Sequence, residues 1–150
     1  MILFVLAEKW LGLDGLGERE LEALRLPAEK AILKALLLFE REVKKKLTGE
    51  RSGRVYTVGR RGRTHQASAP GEAPAVLTGA LRQSITHDGP SWNGDEVSGE
   101  VGTQLPYAAI LEFGGMTWNG GRILPRPYMA ATFLEQQDAI ETILQGATKT

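Results

Sequence analysis

The sequence predicts an α+β fold in one domain spanning 1–150. A small antiparallel sheet is packed by one long central helix and a C-terminal helix, with a protruding Pro/Ala-rich arm. Three observations lead there. Residues 27–47 carry an unbroken apolar stripe at helical spacing. Short alternating segments bounded by Gly and Asn-Gly read as strands and hairpins. The resulting order, β-α-β-arm-β-β-α-α, sets helices on one side of an antiparallel sheet. A chain of 150 residues is long enough to bury a real core.

The opening "MILFVLAEKW" is apolar but lacks a basic leader, and its apolar run stops at Glu8. It reads as a buried strand within 1–13, not as a signal peptide. A short helix is expected around 18–25. Pro27 suits the first turn of a second, longer helix, where its missing N–H would be unpaired anyway. From there Ile32, Leu36, Phe39, Val43 and Leu47 form the stripe, widened by Leu33, Leu37 and Leu38. Glu40–Lys44 and Glu42–Lys46 are spaced as i,i+4 ion pairs. Lys44, Lys45 and Lys46 suit the negative helix end, and Gly49 stops it. The helix should be about 30 Å long.

"GRVYTV" (53–58) alternates like a strand and "GRRGRT" (59–64) is a basic turn. Thr78 is the N-cap candidate for a short turn through Ala80-Leu81-Arg82. "QSITHDG" and "EVSGEVG" are expected as short strands around "PSWNGD", with Asn93-Gly94 as the turn signal. Pro106 should start a short helix, "PYAAILEF", closed by Gly114-Gly115. "MTWNGGRIL" is a turn-rich excursion. Pro127 should begin the last helix, with Met129, Phe133, Ile140 and Leu144 as its stripe and Gly146 as its end. Residues 147–150 should fray.

Formal net charge is zero, but charge is segregated. Lys/Arg against Asp/Glu number five to seven in 1–40, ten to three in 41–82 and three to eight in 83–150. The three segments therefore carry −2, +7 and −5. Such a chain can complement a copy of itself or face an acidic partner. The absence of cysteine excludes disulfides, Cys-based zinc sites and thiol catalysis. His65 and His87 are too few for an all-protein metal cage. No apolar run approaches the ~20 residues that span a bilayer, which points to a chain made in a cytoplasm without a membrane partner.

Ser68, His65 and Glu72 lie close enough in sequence to suggest a hydrolytic triad. Ser68, however, sits in Ala-Ser-Ala-Pro, without the strand-turn-helix elbow that exposes a nucleophile. No catalytic, cofactor or metal residue is assigned. Glu112 stands between Leu111 and Phe113 on an apolar helix, so its carboxylate needs a partner; Arg82 and Arg126 are the candidates. Arg51, Arg54, Arg60, Arg61 and Arg63, with Tyr56 among them, form a strip suited to phosphates. The alternative reading is accordingly a small DNA-associated protein without catalytic activity.

The stretch "HQASAPGEAPAVLTGALRQSI" (65–85) has too much Pro, Gly and Ala for a helix or a regular strand. Pro70, Gly71 and Pro74 keep it extended, and Ala67, Ala69, Ala73 and Ala75 add little bulk. An arm over 60–77 with no core of its own suits docking on another surface, and its stiffness lowers the entropy lost on docking. Arg60, Arg61, Arg63, His65, Pro70, Glu72, Pro74 and Leu77 are its expected contact residues.

"SGRVY", "THQASAPGEAPAVLTGALRQSI", "VGTQLPYAAILEFGG" and "RPYMAATF" occur in that order. The set resembles the neck and tail-completion, or head–tail joining, proteins of long-tailed bacteriophages. The resemblance runs from about Leu11 to the end. Its motif residues are Thr78, Gly79, Arg82, Tyr107, Glu112, Phe113, Gly114, Arg126 and Pro127. Relatives often carry a polar or acidic residue before Thr-Gly, where this chain has Leu77. Many have Thr after Glu-Phe-Gly, where this chain has Gly115 and a longer loop. The resemblance implies a non-enzymatic virion protein that forms a homo-oligomeric ring at the head–tail junction. Its partners would be other copies of itself, head-closure and tail proteins, and passing DNA bound without sequence preference. It would pass through the host cytoplasm during assembly.

Overall fold

The computed structural model describes residues 2–6 (backbone only), 17–94 and 96–147. The turn expected after the first strand and residues 148–150 of the end expected to fray lie outside them; Ala147 is described and buried.

Strand β1 (Ile2–Leu6) pairs antiparallel with β5 (Glu96–Thr103), which pairs on its other side with β4 (Thr86–Asn93). The sheet order is β1-β5-β4. β4 and β5 are joined at the Asn93-Gly94 turn. β4 runs on through Pro90 to Asn93, where the sequence suggested that a loop began. Its register shifts between Asp88 and Ser91, which lets Gly89 and Pro90 stay within the strand. Val97, Gly99 and Val101 turn one face of β5 inward. A Cβ on Gly99 would lie 2.5 Å from a Leu36 methyl, so the helix above sits almost on the backbone.

That helix, α1 (Glu18–Thr48), is a single element of 31 residues, about 46 Å long. The expected break at Pro27 does not occur. Proline removes the N–H that would reach the Ala23 carbonyl and crowds that carbonyl with its ring, and tertiary contacts on both sides offset the cost. Arg25 stacks over the Trp92 ring at 4.8 Å, and Trp92 Nε1 donates to Glu29 at 2.7 Å. Ala28 and Ala31 are buried just beyond. Glu20 accepts the Gly17 N–H at 3.1 Å and so satisfies the helix start.

All five stripe residues of α1 are buried. They pack against β4 and β5 on one side and against α4 (Met129–Gly146) on the other. Phe39 meets the half-buried Phe133 of α4 edge to face, with ring centroids 5.9 Å apart. Met129, Ile140 and Leu144 complete the α4 stripe. Leu33 and Leu37 remain exposed. The expected Glu40–Lys44 pair forms, but Glu42 turns to Arg41 and Lys45, and Lys46 reaches Glu135 of α4 at 2.7 Å.

Outside this two-layer body lie two small hairpins and two short helices. β2 (Val55–Val58) pairs with β3 (Arg63–Gln66) around the basic tip. α2 (Ala80–Ser84) leads into β4, and α3 (Ala108–Phe113) follows β5. β6 (Gly115–Met116) pairs with β7 (Arg122–Ile123). No helix among the described residues is long and apolar enough to cross a membrane.

Phe39 fills the centre of the two-layer contact with no exposed surface. Phe39→Ala should cost about 4 kcal/mol, read as a lower midpoint in urea denaturation. A loss under about 1 kcal/mol would mean that the α1–α4 interface is not packed as described.

Candidate functional site

The Pro/Ala-rich stretch is not free along its length. Backbone bonds fasten its start: the Gly53 N–H donates to the Ala67 carbonyl at 3.0 Å and the Ala67 N–H to the Arg54 carbonyl at 3.0 Å. The contact is so close that a Cβ on Gly53 would stand 2.5 Å from the Ala67 oxygen. Glu72 makes the second fastening. Its carboxylate accepts from the Ser52 hydroxyl, the Ser52 N–H at 3.1 Å and the Ala69 N–H at 2.9 Å. These bonds, the Ser52 hydroxyl first, lower the Glu72 carboxyl to about 2, and the nearby Arg51 charge adds to them.

Arg51 is the third fastening. It donates to the Pro74 carbonyl through Nε and Nη2, and Nη2 also reaches the Lys46 carbonyl at 2.8 Å. It therefore caps the C-terminal end of α1 and belongs to the clamp, not to the basic strip in which the sequence placed it. On the far side, the Gly71 N–H donates to the Pro125 carbonyl at 3.2 Å and Arg126 Nη2 to the Ser68 carbonyl at 3.4 Å. Ser68, Ala73 and Pro74 are buried as a result, whereas Pro70 stays exposed.

The segments that do stand out lie at either end. The β2–β3 hairpin is exposed over most of both strands and its tip, which carries Arg60 and Arg61. Its register puts Tyr56 opposite His65 and Val58 opposite Arg63, so these four share one face. The Tyr56 and His65 rings meet edge to face at 5.3 Å. The suggested triad is thus dispersed into other tasks: Glu72 clamps, His65 packs on Tyr56 and Ser68 is buried. Beyond the clamp, Val76 and Leu77 emerge, Leu77 56 % exposed. Together with Leu47, Leu81, Tyr107 and Leu111 they wall an apolar groove of about 240 Å³. Thr78 sits one residue before the cap of α2, which is Gly79 at φ +80°; the Thr78 hydroxyl accepts the Ala80 N–H at 3.3 Å. Arg82 lines the same groove.

Glu112 is 2 % exposed, and neither expected arginine holds it. Its two oxygens accept the N–H groups of Tyr128, Met129 and Ala130 at 2.8, 3.0 and 2.8 Å. The partner is the start of α4, whose unpaired N–H groups and positive dipole end suit a carboxylate. Arg126 and Pro127 lead into that helix start, and the Arg126 N–H donates to the Leu111 carbonyl at 2.7 Å. Burial first, then the Glu112 charge, pushes the Tyr128 hydroxyl above the ordinary phenol range. Gly114 ends α3 at φ +73°, where a Cβ would meet the Ile123 oxygen at 2.8 Å. Phe113 then points outward, 68 % exposed.

Trp118, which sequence reasoning passed over, is 99 % exposed at the tip of the β6–β7 hairpin. Thr117 closes that turn by bonds to Asn119 and Gly121. Its only signal in the sequence is a tryptophan beside Asn-Gly. Among the described residues no group of three or more His, Cys, Asp or Glu side chains is placed to hold a metal ion.

No protein-family model, curated protein or solved structure matches this chain.

Two measurements check the clamps. The Glu72 pKa is depressed, so its contribution to stability is complete above 4.5 and is lost as pH falls toward about 2. Carboxyl carbon NMR should give a Glu72 midpoint near 2, moving upward in Ser52→Ala; a midpoint near 4.5 in the parent protein would show the clamp open in solution. Glu112→Ala strands three N–H groups at a buried helix start. It should cost about 3 kcal/mol, a fall in Tm of about 10 °C, with Glu112→Gln milder. An unchanged Tm would remove Glu112 from the joint.

Proposed function

We propose that this chain is a non-enzymatic structural subunit of a bacteriophage virion. It forms a homo-oligomeric ring at the head–tail junction that joins the DNA-filled head to the tail and surrounds the DNA passage. It assembles in the host cytoplasm and meets head-closure and tail proteins through its outer surfaces.

The observation that carries this reading is the division of the arm region into a polar clamp and an unpartnered apolar rim. Glu72, Arg51 and Arg126 hold the stretch on its own body without enclosing any reactive group. Val76, Leu77, Tyr107 and Phe113 are left facing solvent, and Met116 and the fully exposed Trp118 stand on the nearby β6–β7 hairpin. Soluble monomers rarely leave so many large apolar side chains open, and such rims mark protein contacts. The quoted arm and Glu-Phe-Gly motifs, which resemble head–tail joining proteins, supply Val76, Leu77, Tyr107 and Phe113; Met116 and Trp118 lie in the loop that follows them. The arginines of the β2–β3 hairpin favour a second reading, that of a DNA-associated protein without catalysis.

The purified chain should give closed rings in negative stain and a matching mass by light scattering, at low salt and high concentration. Monomers alone under those conditions would overturn the self-assembling ring.

A further inference from the structure

Two charged surfaces of this molecule have no ion-pair counterpart among the described residues. On the β2–β3 hairpin, Arg54, Arg60, Arg61 and Arg63 make no ion pair among the described residues. The hairpin has no core on either face, and a two-stranded hairpin alone is marginally stable.

The second surface is the outer face of the β4–β5 sheet. Val97 and Val101 face α1, as do their register partners Trp92 and His87, which reach Glu29 and Glu40 of that helix. Alternation therefore sends Asp88, Glu96 and Glu100 outward. Asp88 stands directly opposite Glu100, a like-charge cross-strand pair that destabilises a sheet. No cation among the described residues offsets it. Asp88 Oδ1 takes only the adjacent Gly89 N–H at 2.9 Å. The two carboxylates flank a shallow depression of about 110 Å³, with Thr86, His87, Gly102, Thr103 and Gln104 also on its walls; the His87 ring is turned to Glu40.

We propose that the β2–β3 hairpin of one copy lies across the outer β4–β5 face of the next, with an arginine of its tip seated between Asp88 and Glu100. A guanidinium presents donors in a planar fork that suits two carboxylates. The contact relieves the Asp88–Glu100 repulsion and covers the bare hairpin in one step. DNA would satisfy the hairpin alone and would be repelled by the sheet; a second copy of this chain accounts for both surfaces. The two patches differ, so the contact is head-to-tail, which closes into a ring when the rotation between copies closes and otherwise gives an open filament. This rests on the assembly reading above and names its interface.

Sedimentation velocity at low salt tests it with a charge swap. R60E/R61E/R63E alone and D88K/E100K alone should each need at least about tenfold higher concentration to associate than the parent chain. Their equimolar mixture should recover association, because each hairpin then meets a sheet of opposite charge. The single changes R61E and D88K should act in the same direction more weakly, should the multiple changes disturb folding by circular dichroism. Added salt should weaken the parent assembly. A parent chain that stays monomeric overturns both this interface and the ring. A parent that assembles while either folded variant assembles equally well overturns the interface alone. So does a mixture that stays apart, whether or not the arginine variant has also lost duplex DNA in filter binding.

Discussion

Three N–H groups at the start of α4, those of Tyr128, Met129 and Ala130, end on the buried carboxylate of Glu112. The periphery depends on this joint. It anchors α3 to the helix that packs on α1, and it sets the path of 125–127 between them. That path presents the Pro125 carbonyl to Gly71 and the Arg126 side chain to the Ser68 carbonyl. A buried charge unpaired would be costly, but here the unpaired donors of a helix start meet a carboxylate that needs them. One interaction thus satisfies both groups and orients three segments.

The clamp on the Pro/Ala-rich stretch follows the same economy from the other side. Arg51 closes the C-terminal end of α1 and holds Pro74 with the same guanidinium. Glu72 answers donors on both sides of its own turn. These are short-range polar bonds on a chain that prolines already restrict, so little conformational freedom remains to lose when its apolar end is covered. A rim already rigid would suit the proposed assembly better than a flexible tether.

Charge is redistributed by folding. The +7 of residues 41–82 does not appear as one patch, because Lys44, Lys45 and Lys46 pair with Glu40, Glu42 and Glu135 and Arg51 turns inward. What remains free is concentrated on the β2–β3 hairpin. On the acidic side, Glu112 is taken up by α4 and Glu135 by Lys46, which leaves Asp88, Glu96 and Glu100 on the outer sheet face, besides Asp138 and Glu141 on α4. The complementarity visible as segment totals thus narrows chiefly to the hairpin and the outer sheet face.

The α+β class, the stripe from Ile32 to Leu47, the α4 stripe and the Asn93-Gly94 turn were legible in the sequence, because each rests on local periodicity or turn chemistry. So was the need of Glu112 for a partner, since burial of a carboxylate is costly wherever it occurs. The identity of that partner was not legible, because backbone N–H groups look alike in any sequence and only the packing of α3 against α4 brings them within reach. The same limit hid the continuity of α1 through Pro27, where Trp92, 65 residues away in the chain, holds the first turns in place. It also hid the inward turn of Arg51 and the donors that Glu72 meets: that Glu72 would tie the stretch down was legible, but not that Ser52, 20 residues away, would hold it. Local chemistry determined which elements form and which residues cannot stand alone; long-range packing decided which atoms meet them, because a hydrogen bond depends on distance in space and not along the chain.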